Sequence, residues 1–287
     1  MNHMKFMTDS AADIPQSLRE EFNIHTLAFP IAVDGKEFED GNMDNKEFYQ
    51  LLTSLSQIPT HAQLTPYVFE QEFQRAYEEG CTDLIYTSIN SKASSTHQNA
   101  VQARDEFYED HPEAKGKFNI RIIDSLTYTM AYGWAVVEGA KLARGGASAQ
   151  EVEDCIRDWV ENSRILFVPY DLKFAKKSGR ISAASAFVGE ALGLKPIMTF
   201  EDGQSKVITK VRGEKNVIPT LLNLCKEERD ESAPYLLIRA DREDQSDLLS
   251  QACAQEFGSA PALEYYLGAI IAINAGPNLV GIVYRKK

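Results

Sequence analysis

The chain is poor in the residues that most often carry metal or covalent chemistry, with four cysteines and five histidines in 287 residues. Cys81, Cys155, Cys225 and Cys253 lie far apart and make neither CxxC pairs nor metal-ligand spacings with the histidines, so they read as core thiols in a reducing compartment. No apolar run approaches the ~18–20 residues needed to span a bilayer, and the N-terminus lacks the apolar stretch of a leader. The expectation is a cytoplasmic protein without its own membrane anchor. Positive charge is also in deficit: 42 acidic against 30 basic residues leave a formal net charge of -12, which repels phosphate backbones and anionic surfaces over most of the molecule. Nucleic acid is thereby set aside as a partner, while a local basic rim on an acidic body remains compatible with the balance. GxSxG, HExxH and P-loop signatures are absent as well.

What remains is ordinary globular material, 44% apolar and 25% charged, with no repeat or low-complexity tract. Its length exceeds what one core usually organises, so two domains of roughly 100–170 residues each are expected. In the first half, strand-like runs at 5–8, 27–33, 84–88 and 120–123 each precede a segment of helical spacing. Such alternation predicts an α/β fold with a mainly parallel sheet. Helix starts are marked by Thr65 before Pro66 and by a capping box, Ser148 with Glu151, ahead of Val152, Cys155, Ile156 and Trp159. Arg144-Gly145-Gly146 closes a nearly all-apolar helix over 129–143, which places a domain boundary near residue 160, with domains at 1–160 and 161–287. The second half predicts strands at 165–168, 196–200, 206–210, 235–240, 270–274 and 279–285, helices at 214–227 and 244–257, and a hairpin at Asp202-Gly203 that makes the sheet mixed.

The most informative stretch is Asn90-Ser91-Lys92-Ala93-Ser94-Ser95-Thr96, between an apolar strand and a helix whose inner face is Ala100, Ala103 and Phe107. In open α/β sheets ligands bind beyond the carboxyl ends of the strands, where free N–H groups and the helix dipole favour an anion. The hydroxyls of Ser94, Ser95 and Thr96 add neutral donors. Spacing alone is served as well by Ser94 or Ser95 as a plain helix N-cap, the commoner role for serine there. Thr8-Asp9-Ser10, the 59–66 stretch and Asp124-Ser125 occupy comparable positions. An enzyme would need a base, and neither His61 nor His97 has a carboxylate orienter evident in sequence; Asp9, Asp13 and Asp124 read as caps and turn formers. Further on, 179–196 is apolar and rich in small residues, leaving room for a packed helix or a ligand chain, and Lys173, Lys176, Lys177 and Arg180 form a cationic cluster before it.

Taken in order, Thr8-Asp9-Ser10-Ala11-Ala12-Asp13-Ile14-Pro15, Glu39-Asp40-Gly41, Asn90 to Thr96, Ile123-Asp124-Ser125, Lys176-Lys177-Ser178-Gly179-Arg180-Ile181-Ser182, Leu194-Lys195-Pro196-Ile197 and Gly276-Pro277 give a chain that resembles the DegV family of bacterial fatty-acid-binding proteins almost throughout. The resemblance implies an N-terminal Rossmann-like domain, a C-terminal α/β domain with a mixed sheet, and one long-chain fatty acid in a buried tunnel with its carboxylate held near the domain interface. It implies no cofactor and no metal, and a carrier in place of a catalyst: the bound acid is presented to a separate ATP-dependent fatty acid kinase that makes acyl-phosphate. Ser94 corresponds to the serine of the family's serine-glycine-threonine turn, so Ser91, Ser94, Ser95, Thr96, His61 and Asn274 are the expected ligand-binding residues. Arg180, Lys210 and Arg212 are the expected rim toward the kinase or phosphate, and transient membrane contact is compatible with such a role. A C16 chain buries many methylenes at about 0.8 kcal/mol each, so hydroxyl and backbone donors suffice for the head group and the desolvation of a buried lysine or arginine is avoided.

The chain departs from the family at that head group. His61-Ala62-Gln63-Leu64 replaces a threonine-serine-glutamine-proline loop, Ser95 replaces the turn glycine, and Asn274 stands where a histidine is frequent. One expectation is that His61 and Asn274 have exchanged polar roles; the departures equally suit a different head group. Two other classes stay in view. An acyl or phosphoryl hydrolase or transferase using the Ser94 loop predicts turnover by the protein alone, and a regulatory protein with lipid as filler predicts function with the tunnel occluded.

Overall fold

The computed structural model describes residues 3–188 and 193–287. Contacts divide the chain into two compact units: Met1–Ile31, Glu37–Glu39 and His61–Glu161 form the first, and Ala32–Lys36, Asp40–Thr60 and Asn162–Lys287 the second. The second thus takes in Asp40–Thr60, which a single cut near residue 160 assigns to the first.

The first unit is built on four parallel strands, β1 (Met4–Asp9), β2 (Ile24–Leu27), β6 (Asp83–Ser88) and β7 (Asn119–Asp124), in the order β2-β1-β6-β7. Every residue of β6 is buried, as befits a strand covered on both faces. Helices α1 (Gln16–Phe22), α3 (Pro66–Glu78), α4 (Thr96–Asp110), α5 (Met130–Arg144) and α6 (Ala149–Asn162) connect and surround it. Pro66 opens α3, and the box at α6 is present, with Ser148 N–H on Glu151 Oε2 at 2.8 Å and Glu151 N–H on Ser148 Oγ at 3.3 Å. Two contacts seat α5: Trp159 Nε1–H donates to Ala131 O at 3.1 Å, and at Gly133 the helix comes so near the turn after β1 that a Cβ would lie 2.3 Å from Ala12 O. The expected strand 27–33 is interrupted at Ala28-Phe29; β2 ends at Leu27, and Pro30–Val33 is a separate strand, β3. Together with β4 (Lys36–Glu39) and the two-residue β5 (Thr60–His61) it forms a small sheet, β4-β3-β5.

The second unit carries a six-stranded mixed sheet from β8 (Ser163–Pro169), β9 (Leu194–Glu201), β10 (Gln204–Arg212), β11 (Tyr235–Arg239), β12 (Leu263–Tyr266) and β13 (Leu279–Arg285), ordered β10-β9-β8-β13-β11-β12. Asp202 and Gly203, at φ 47° and 72°, make the left-handed turn that a two-residue hairpin between β9 and β10 requires. Alternate residues Leu166, Val168, Val280, Ile282, Tyr235 and Leu237 pack with Leu221 and Cys225 of α9 (Val217–Glu228) and Leu249 and Cys253 of α10 (Glu243–Phe257). The opposite alternation, Phe167, Met198, Ile238 and Val283, is buried too, and Phe167 stacks on Phe200 at 5.4 Å. Segment 270–274, expected as a strand, is instead helical, within α11 (Ala269–Ala275). Six of its seven residues are buried, so its apolar run has no polar period to tell strand from helix, and Gly276 at φ 90° ends it. Also in this unit are α2 (Asn45–Ser54), α7 (Lys173–Ser178) and α8 (Ser182–Ser185). Of the small-residue run noted above, 189–192 lies outside the described residues.

Candidate functional site

In the first unit β1 runs outward to β2 on one side, while β6 lies on the other side and leads to β7. The chain direction across the sheet therefore reverses between β1 and β6, which is where such sheets open a ligand crevice at their carboxyl ends. The loop that leaves this point is 89–95. Its backbone is held almost atom by atom: Ile89 N–H donates to Asp9 Oδ2 at 2.8 Å, Asn90 N–H to Thr127 O at 3.2 Å, Ser91 N–H to Asp124 Oδ1 at 3.1 Å, Lys92 N–H to Asn90 Oδ1 at 3.0 Å and Ala93 N–H to Asn90 O at 3.2 Å. Asn90 also donates to Tyr128 Oη at 2.8 Å.

Past Ala93 this pattern stops. Among the described residues, the N–H groups of Ser94 and Ser95 meet no acceptor. Ser95 occupies the N-cap position of α4, yet its hydroxyl makes no cap bond; Ser94 Oγ accepts the Thr96 N–H at 3.3 Å and donates to Thr96 Oγ1 at 2.9 Å. The plain N-cap role thus falls to Ser94 in part and to Ser95 not at all. Thr96 is fully buried, and its Oγ1 also accepts the Leu64 N–H at 3.3 Å, while Asn99 Nδ2 donates to Leu64 O at 2.7 Å. Both backbone groups of Leu64 are bound to the first turn of α4, which brings the 61–65 loop against the serine loop. Two adjacent N–H groups, an exposed serine hydroxyl and the positive end of a fifteen-residue helix make a tip suited to a carboxylate or another small anion.

The other expected residues fall as follows. Ser91 serves the loop through its backbone, and half-buried His61 closes β5. Asn274 lies in the second unit on α11, where its Nδ2 donates to Ile270 O at 2.7 Å, one helical turn back. Arg180, Lys210 and Arg212, also in the second unit, are exposed; Arg180 Nη1 donates to Ser178 O at 2.7 Å and Lys210 Nζ lies 5.3 Å from the Phe187 ring centre. His97 bonds through Nδ1 to Ser88 Oγ at 3.0 Å, a serine without exposure, and burial pulls its pKa down. Asp124 is the turn former expected, accepting Ser91 and Leu126 N–H at 3.1 Å each, but Asp9 is something else: a fully buried carboxylate at the switch point. Only its place at the end of an apolar strand, beside a second strand end rich in hydroxyls, could have marked it. Among the described residues no cluster of three His, Cys, Asp or Glu side chains is placed to hold a metal ion, and no helix is long and apolar enough to cross a membrane.

A parallel α/β unit whose switch-point loop offers unpaired N–H groups ahead of a helix is the arrangement with which proteins of the open-sheet class hold small ligands. A family model described as "Uncharacterised protein, DegV family" matches residues 3–287, and the chain belongs to the DegV family. It is 31% identical over its whole length to a DegV domain-containing protein of Caldanaerobacter subterraneus subsp. tengcongensis, covering 100% of both, and 30% identical to one of Clostridium perfringens, covering 99% of both. A DegV family protein from Thermus thermophilus, solved for its fatty acid binding, is similar with a TM-score of 0.86 at 25% identity, over 99% of this chain and 100% of that one. A stearic acid-binding protein from Eubacterium ventriosum shares the fold with a TM-score of 0.87 at 19% identity, over 99% and 98% of the two chains.

Proposed function

We propose that this protein is a fatty-acid carrier that holds the ligand's carboxylate at the tip of the serine loop and yields it to a separate ATP-dependent fatty acid kinase. The observation that carries the reading is the pair of unpaired N–H groups at Ser94 and Ser95, placed at the switch point of a DegV-family fold. Two backbone donors and a neighbouring hydroxyl can hold a carboxylate without a buried cation, and the acyl chain supplies affinity at about 0.8 kcal/mol per buried methylene. Ser91 and Thr96 shape the loop around that position. Toward the kinase, Arg180, Lys210 and Arg212 give a basic rim to a chain of net charge -12. The carrier is not itself a catalyst in this reading. Ser94 Oγ is bonded to Thr96, and the adjacent histidine is bonded to buried Ser88, so a hydrolase or transferase acting through Ser94 would have no base on its nucleophile.

Denaturing the purified protein and identifying released molecules by mass spectrometry tests the reading directly. A near-stoichiometric fatty acid is expected. Finding no endogenous lipid and no uptake of added palmitate would overturn it. Ser94→Ala, which disorders the tip by releasing the Thr96 N–H, is expected to weaken palmitate binding at least ten-fold. Charge reversal at Arg180, Lys210 and Arg212 together is expected to slow acyl-phosphate formation by the kinase with fatty acid content unchanged.

A further inference from the structure

Asp9 has no task in the carrier reading, although it is among the most enclosed acids of the chain, with 0% of its surface exposed. Its Oδ1 accepts the Tyr132 hydroxyl at 2.6 Å; its Oδ2 accepts the Tyr86 hydroxyl at 3.1 Å and the Ile89 N–H at 2.8 Å, and the Ala11 N–H is directed at the same carboxylate. The β1–β6 ladder ends at the Thr8–Thr87 pair, so beyond it the two strands separate. At Ile89 the acceptor is accordingly a side chain reaching over from β1. The next two loop N–H groups are taken by Thr127 O, from the loop after β7, and by Asp124 Oδ1, from the last residue of β7. Of the three consecutive anchors, the one at Ile89 alone crosses the switch point.

We infer that Asp9 is a positioning residue for the head-group loop: by taking the Ile89 N–H across the switch point, it sets the direction in which 90–96 leaves the sheet and aims the Ser94 and Ser95 N–H groups. For its ligand the inference rests on the carrier reading; for its geometry it does not. Stability does not call for the charge. Burial pushes the Asp9 carboxyl up to about 6 in spite of the donors around it, so a neutral side chain of the same shape would suit the fold better at neutral pH. The tyrosines on either side, Tyr86 from β6 and Tyr132 from α5, fix the carboxylate in place.

Asp9→Leu, which removes the acceptor, compared with the parent, with Asp9→Asn and with Ser94→Ala, tests this by amide hydrogen exchange and palmitate affinity. In Asp9→Leu the amides of 89–96 should exchange at least ten-fold faster with the rest of the first unit unchanged, and palmitate should bind at least ten-fold more weakly; Asp9→Asn, whose amide oxygen can still accept the Ile89 N–H, should keep the loop protected with Tm equal or higher at pH 8. Unchanged exchange in 89–96, or a fall in Tm with protection lost throughout the unit, overturns the inference, since the first shows no positioning and the second a merely structural residue. Should palmitate bind the parent and Ser94→Ala equally, the carrier site is wrong, while the exchange comparison still decides the role of Asp9. Tyr132→Phe removes one donor from the carboxylate and nothing from the loop; a smaller local rise in exchange is expected from it, and no rise would also overturn the inference if Asp9→Leu does not fold.

Discussion

At Asp9 the folded chain holds a charge against its own stability. Burial pushes the carboxyl up from its ordinary value of 3.8 to about 6, so the folded state binds the proton more tightly than the unfolded one. Stability is therefore highest below about pH 4, declines as pH rises, and is lower by about 3 kcal/mol once the group is charged above about pH 6. Burial and the neighbouring carboxylate hold the Tyr86 and Tyr132 hydroxyls far above their usual range, so neither titrates with it. Urea denaturation of Asp9→Asn should therefore show a gain over the parent at pH 8 that vanishes near pH 4. A gain of equal size at both would assign it to something other than the charge. Thr96 is the converse case, a buried hydroxyl that stabilises. Thr96→Val keeps the shape and leaves the Leu64 N–H without its acceptor, an expected loss of about 1–3 kcal/mol in the same assay, with faster amide exchange confined to 61–65.

Among the described elements, α5 is closely placed against its neighbours. A methyl group at Gly133 would meet Ala12 O at 2.3 Å, Met130 Sδ at 2.9 Å and Ile14 Cγ1 at 3.0 Å, and the first of these is backbone that cannot turn aside. Gly133→Ala should cost about 1–3 kcal/mol of overpacking, measurable as a lowered urea midpoint. How much of this was legible beforehand varies with what each element needs from afar. Strands β1, β6 and β7 announce themselves by apolar runs that end in hydroxyl-rich loops, and α6 by a capping box whose bonds are all local. The serine loop was legible for the same reason. Segment 270–274 was not, because Ile270, Ile271 and Ile273 favour a strand by their branching and only burial on every side makes a short helix acceptable. Asp9 reads in sequence as a cap or turn former because its partners, Tyr86 and Tyr132, stand 77 and 123 residues away, and no local pattern records them. Helix α2 carries a readable cap, Asp44 accepting Lys46 N–H at 2.9 Å, but its allegiance to the second unit is set by distant residues.

For the molecule as a whole, two compact units imply two cores that need not fail together. Both tryptophans, Trp134 and Trp159, belong to the first unit. Their fluorescence reports that unit, while far-ultraviolet circular dichroism reports both, so urea curves from the two probes are expected to diverge. Coincident curves would mean that the units unfold as one.

The placement of α2 also bears on how the chain is made. Its Tyr49 hydroxyl donates to Leu267 O, Asn45 Nδ2 to Tyr266 O at 3.3 Å, and Lys46 pairs with Glu243 at 2.7 Å. Phe48, Tyr49 and Leu52 therefore leave the ribosome some 218 residues ahead of the partner that takes the tyrosine hydroxyl. At roughly 5–20 residues per second that is a wait on the order of 10–40 s with an apolar helix face uncovered. During translation this helix is where a chaperone would find the nascent chain, and an arrested chain ending before Tyr266 should be cut by protease within 40–60 while the finished protein resists.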